Sequence, residues 1–95
     1  VKVVAFPPCK INLGLHVVRK RSDGYHELET CFFPIPWTDV LEIVRSSSFS
    51  FSSSGLEIPG SKDDNLCIKA YELLKQDFNL PPVNIHLHKV LPTGA

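Results

Sequence analysis

The sequence predicts an α+β fold, a strand-rich sheet covered by one long helix, and three observations predict it. Runs of alternating apolar and polar residues fill the first half, in VKVVAF, KINLGLHVV, HELETCFF and VLEIV. One later stretch, LCIKAYELLKQDF, carries apolar residues at helical spacing and is followed by a further alternating run, VNIHLHKV. Hydrophobic residues make up 43% and charged residues 21% of the 95, which is enough apolar material for a modest core and too much for a disordered tail.

Taken in order, VKVVAF and KINLGLHVV are two strands separated by Pro7 and Pro8, which donate no ladder hydrogen bond and favour an irregular connection. Period-two alternation in the second strand places Ile11, Leu13, Leu15 and Val17 on one face, with Lys10, Asn12, Gly14 and His16 on the other. The pair Asp23-Gly24 suits a turn with positive φ, so Tyr25 and His26 stand where a turn enters the strand HELETCFF. A break around PIPWTD precedes the strand VLEIV, and SSSFSFSSSG reads as surface β structure with Phe49 and Phe51 on a shared face. Gly55, Pro59 and Gly60 punctuate the next segment. Then Asp63, Asp64 and Asn65 supply caps for a helix whose stripe is Leu66, Ala70, Leu73 and Leu74, widened by Cys67, Tyr71 and Phe78 and buried against the sheet. Pro81-Pro82 ends that unit, and Val83, Ile85 and Leu87 alternate with Asn84, His86 and His88 in the last strand.

Composition narrows the function classes. Ten Lys plus Arg balance ten Asp plus Glu, so no broad basic field exists to neutralise many nucleic-acid phosphates. Cys9, Cys31 and Cys67 lie too far apart for a Cys-x-x-Cys motif and read as reduced thiols, which points to the cytoplasm. No stretch approaches the roughly 20 apolar residues of a membrane span. The chain stops just after a strand, without a closing helix, as expected of an incomplete domain occupying residues 1–95.

Lys10 and Asn12 offer a positive charge beside an amide that both donates and accepts, a pair able to orient a phosphate or a reacting hydroxyl. A solvated rim lysine and a self-satisfied asparagine are the plainer alternative. Tyr25 and His26 combine an aromatic platform with a polar ring, suited to stacking a heterocycle and bonding its edge. His86 and His88 share a strand face, but no nearby Cys, Asp or Glu completes a zinc set, and no metal site is expected within these residues. His16 is able to join the Lys10 face, Cys9 reads as a small packed thiol, and Asp63 and Asp64 read as helix caps rather than metal ligands. Neither Gly-x-Gly-x-x-Gly nor a complete Walker phosphate loop occurs.

The ordered motifs PPCKINLGLHVVRKRSDGYHELET, DDNLCIKAYELL and VNIHLHKVLPTGA resemble the amino-terminal part of the GHMP kinase superfamily, in its cytidyl-diphosphate methylerythritol branch. The resemblance spans almost the whole chain and implies a domain like ribosomal protein S5 domain 2. It implies an ATP- and Mg²⁺-dependent kinase that phosphorylates the 2-hydroxyl of its cytidyl-diphosphate methylerythritol substrate, on the non-mevalonate route to isoprenoid precursors. By resemblance Lys10 lies near the reacting hydroxyl, Asn12 lines the same site, Tyr25 stacks on cytosine and His26 hydrogen-bonds it. Asn65 and Lys89 match positions near ATP, while Pro92, Thr93, Gly94 and Ala95 match the approach to a glycine-rich phosphate loop. The loop's continuation, a catalytic Asp and a carboxy-terminal domain are expected in the rest of the kinase, and the 95 residues alone are expected to be inactive. The alternative is an RNA-binding or structural assembly module of similar topology, against which the neutral charge stands.

Overall fold

Residues 2–93 are described by the structure, a computed structural model, and they form six strands, one 3-10 turn and one long α-helix. In chain order these are β1 (Lys2–Ala5), β2 (Pro8–Lys20), β3 (His26–Thr38), β4 (Val40–Arg45), β5 (Ser50–Gly55), the turn Lys62–Asp64, α1 (Leu66–Asp77) and β6 (Val83–Lys89). A four-stranded mixed sheet has the order β1-β4-β6-β5, with β5 parallel to β6 and the other pairs antiparallel. β2 and β3 form a separate antiparallel ribbon that leaves this sheet as an arm.

The arm departs from simple alternation for a local reason. Leu13 pairs with Cys31 and Leu15 with Thr30, so Gly14, at φ +74°, is an extra residue bulged out of the ladder. Every side chain after the bulge changes face. Lys10 and Asn12 therefore share a face with Leu15 and Val17, whereas Ile11 and Leu13 lie opposite, with His16. This corrects both the expected apolar face Ile11-Leu13-Leu15-Val17 and the expected place of His16. A second irregularity between Val17 and Arg19 shifts the register again, after which Lys20 pairs with His26.

Two expected breaks are also displaced. Pro8 begins β2 rather than preceding it, and β3 continues through Pro34 and Pro36 to Thr38. Prolines are tolerated there because the arm has only two strands, so each strand keeps one edge on which no ladder donor is needed. The real interruption is the single residue Asp39, whose backbone N–H donates to the Pro7 carbonyl at 3.0 Å across the bend between arm and sheet.

The sheet's core face carries Ile85 and Phe51, both buried, and Phe49, just before β5 begins rather than on a shared strand face with Phe51, stacks on Tyr71 of α1 with centroids 4.5 Å apart. Asn65, not Asp63 or Asp64, caps α1: its side chain accepts from the Cys67 amide at 2.9 Å, while the two aspartates lie in the preceding 3-10 turn. The helix is less covered than its pattern implies. Cys67, Ala70, Tyr71 and Leu74 line an apolar cavity of about 300 Å³ against the sheet, but Leu74 is itself half exposed, Leu66, Leu73 and Phe78 of the expected stripe are exposed, and no helix residue is fully buried. The radius of gyration is 16.1 Å, against about 12 Å for a compact chain of this length. Projection of the arm explains the difference. Among the described residues no helix is long and apolar enough to cross a membrane.

Candidate functional site

The arm gathers Lys10 and Asn12 as their spacing suggested. Lys10 Nζ donates to Asn12 Oδ1 at 3.3 Å, Asn12 Nδ2 donates to Thr30 Oγ1 at 3.0 Å, and Thr30 Oγ1 donates to the Gly14 carbonyl at 2.6 Å. The chain of bonds ends on the carbonyl freed by the bulge, so the same glycine that switches the strand's faces also anchors the polar group. Lys10 Nζ lies 4.6 Å from the centre of the Phe32 ring, a cation–π contact that holds the ammonium above the strand. Thr30 and Phe32 were not singled out by sequence. Their signal was their parity with His26 in HELETCFF, which becomes informative only once the register is known.

Tyr25 and His26 occupy the far end of the arm. The Asp23 carboxylate accepts from the Tyr25 amide at 3.0 Å, Gly24 has φ +91°, and Tyr25 is 73% exposed. Register puts His26 on the Lys10 face, because Lys10 pairs with Pro34 and Lys20 with His26. The two pairs are eight ladder positions apart, at most about 26 Å on a straight strand. One ligand touching both must be elongated and lie along the arm.

A second region lies across the sheet. Asn65 lines an open cavity of about 340 Å³ with Phe51, Ser52, Ser53, Gly60, Ser61 and Lys62. Its Oδ1 is engaged in capping, so any further donation from this side chain comes from its amide nitrogen. Lys89 is turned elsewhere: its ammonium donates to Asp39 Oδ2 at 2.8 Å. Asp39 Oδ1 accepts from the amides of Val90 at 2.7 Å and Leu91 at 2.8 Å. Burial pushes the Asp39 carboxyl up, but the Leu91 amide, the Lys89 ammonium and the Val90 amide together outweigh it and hold the group below its ordinary value. Burial, reinforced by the Asp39 charge and opposed by Lys89, pushes the Cys67 thiol up, which makes it a poor nucleophile. Asp39 escaped the sequence reading because its partners follow it by some fifty residues.

Cys9 is buried as a packed thiol. His86 shares hydrogen bonds with Ser52 at 2.7 Å and Ser54 at 2.9 Å, and His88 with Ser54 at 2.9 Å, so the His86 ring is engaged through both nitrogens and the His88 ring through Nδ1 along the β5–β6 pair. Among the described residues no group of three or more His, Cys, Asp or Glu gathers around a potential metal position. Pro92 and Thr93 follow Leu91 directly, while Gly94 and Ala95 lie outside the described residues.

No family model matches the chain. It is 57% identical over 93 residues to the 4-diphosphocytidyl-2-C-methyl-D-erythritol kinase of Cytophaga hutchinsonii, covering 98% of this chain and 34% of that protein. It is 53% identical over 97 residues to the enzyme of the same name from Bacteroides fragilis, covering 98% of this chain and 35% of that one. A crystal structure of 4-(cytidine 5'-diphospho)-2C-methyl-D-erythritol kinase superposes with a TM-score of 0.74 at 34% identity, over 98% of this chain and 33% of the solved one. The chain thus spans about a third of the length of the curated relatives it matches.

Proposed function

We propose that the chain is the counterpart of the amino-terminal third of a 4-diphosphocytidyl-2-C-methyl-D-erythritol kinase, within the GHMP superfamily, and that the whole protein is this kinase; the 57%, 53% and 34% identities over nearly all of the chain support it. It transfers the γ-phosphoryl group of ATP to the 2-hydroxyl of 4-diphosphocytidyl-2-C-methyl-D-erythritol, in the cytoplasm, on the non-mevalonate route to isoprenoid precursors. The observation that carries this reading is the placement of Lys10, Asn12 and His26 on one face of the arm, with the aromatic ring of Tyr25 at its tip. That layout suits an elongated substrate with a base at one end and an alcohol at the other.

Transfer to an alcohol asks mainly for alignment of the two oxygens and for stabilisation of charge on the moving phosphoryl group. Lys10, steadied by Asn12 Oδ1 and the Phe32 ring, would orient the hydroxyl and stabilise charge developing on it. Asn12, itself held by Thr30, would bond the same end of the substrate. At the other end Tyr25 stacks on cytosine and His26 bonds the ring's edge. On the nucleotide side Asn65 forms one wall of the ATP site, Lys89 acts through its bond to Asp39, and Pro92, Thr93, Gly94 and Ala95 lead into the phosphate loop. Mg²⁺ would be held by the ATP phosphates together with groups from the rest of the protein and would neutralise phosphate charge there. Residues 1–95 form an incomplete amino-terminal domain in this reading. The remaining loop, a carboxylate to receive the hydroxyl proton, and a second domain come from the rest of the protein.

Steady-state kinetics of the full-length protein test the division of roles. Lys10→Ala is expected to lower kcat by about a hundredfold or more with a small change in KM for the cytidyl substrate. Tyr25→Ala is expected to raise that KM by about tenfold, the loss of one base–aromatic stack, with kcat changed less. Wild-type values in both variants would contradict the assignment.

A further inference from the structure

Asp39 is the buried charged residue among the described residues, 7% exposed, and each of its bonds joins two parts of the proposed site. Its backbone N–H donates to the carbonyl of Pro7, three residues before Lys10. Its side chain binds three consecutive residues at the end of β6 and just beyond: the Lys89 ammonium at 2.8 Å, the Val90 amide at 2.7 Å and the Leu91 amide at 2.8 Å. Those residues run directly into Pro92 and Thr93. Asp39 is also the only residue between β3 and β4, at the bend where the arm leaves the sheet. On the facing strand the bend falls at Phe6 and Pro7, and Pro7 contributes no N–H of its own. Asp39 is thus the polar link: its backbone N–H closes the bend on one side, and its carboxylate holds the β6 exit on the other.

From this geometry we infer that Asp39 is a positioning residue for phosphoryl transfer, locking the arm that carries Lys10 to the chain segment that approaches the ATP phosphates; the inference rests on the kinase reading above. The physical reason is alignment. A shift of about 1 Å between a catalytic group and its substrate costs as much as a hundredfold in rate. Here two groups from opposite sides of a bend must meet. A residue serving stability alone would lower the amount of folded enzyme and leave the KM of the folded remainder unchanged. A residue that sets the approach to the phosphates changes KM for ATP in folded enzyme and leaves the cytosine end, eight ladder positions along the arm, little affected.

The test uses the full-length protein with Asp39→Ala and Asp39→Asn, the second keeping an oxygen acceptor for the Val90 and Leu91 amides. Asp39→Ala is expected to raise KM for ATP and lower kcat by about tenfold each, with KM for the cytidyl substrate within about twofold of wild type. Asp39→Asn is expected to recover most of the KM for ATP and, should the alanine variant not fold, to carry the test with a rise of about threefold. Amide hydrogen exchange at Val90 and Leu91 is expected to quicken in both variants, more in alanine than in asparagine. Unchanged KM for ATP in folded variants, with kcat falling only as the folded fraction falls, would overturn the inference. A wild-type protein without turnover would instead sink the kinase reading, so the two failures are told apart.

Discussion

Lys10 and Asn12 owe their contact to the pleat of one strand, but what holds them is less local: the Thr30 hydroxyl from the facing strand and the Gly14 carbonyl turned loose by the bulge. Asp39 illustrates the same dependence with a larger energy at stake. Its carboxylate is nearly enclosed and its partner lysine is 16% exposed, so removing the acid strands a largely covered ammonium and two amides. Asp39→Ala is expected to cost about 3 kcal/mol or more in denaturant unfolding of the full-length protein. The pH dependence follows from the lowered native pKa of Asp39. Because the folded state favours the ionised form, its contribution is fully present above the unfolded carboxyl pKa of about 3.9 and is lost as pH falls through the lower native value. Wild type should therefore lose stability more steeply than Asp39→Asn below about pH 4; parallel acid limbs for the two proteins would contradict this. At this scale the sequence was partly legible. Lys10, Asn12, Tyr25 and His26 were visible because strand and turn neighbours imply a shared face or platform. Asp39, Thr30 and Phe32 depend on partners brought together only by pairing.

Among the elements, strands and helix could be read from periodicity, whereas the faces they present could not always be. One inserted residue reverses the parity of a strand, and the isolated Gly14 inside an alternating run was the available sign of that reversal. The helix shows the same limit: Cys67, Ala70, Tyr71 and Leu74 line the cavity against the sheet, while Leu66, Leu73 and Phe78 of the expected stripe do not. β3 passes through two prolines because its outer edge is unpaired, a fact of topology that no local pattern contains. Two glycines make the physical difference measurable. A Cβ at Gly14 would meet nothing within 4 Å, so Gly14→Ala should cost only the strain of its positive φ, about 1–2 kcal/mol. At Gly55 a Cβ would stand 2.3 Å from the Lys89 carbonyl oxygen, at φ +81°, so backbone must move as well. Gly55→Ala is expected to be the more damaging of the two in thermal unfolding, and an equal loss would refute the close approach of β5 to the end of β6.

The molecule as a whole exposes 7292 Å², whereas a compact monomer of its mass exposes about 5,500 Å². Much of the surplus is apolar and lies on the arm and helix: Leu13, Leu15, Val17, Phe32, Phe33 and Leu73 are all half or more exposed. The α+β architecture was legible from composition and periodicity, but the uncovered arm was not, since alternation says that a face is apolar without saying what covers it. In the kinase reading these surfaces are covered by the other two thirds of the protein, which also completes the phosphate site. The most direct measurement is phosphorus NMR of the cytidyl-diphosphate methylerythritol substrate incubated with ATP and Mg²⁺, using the full-length protein beside the 95-residue chain. A new phosphomonoester signal, with matching loss of ATP, is expected for the full-length protein and none for the 95 residues alone. No signal from folded full-length protein, or turnover by the isolated 95 residues, would contradict that expectation.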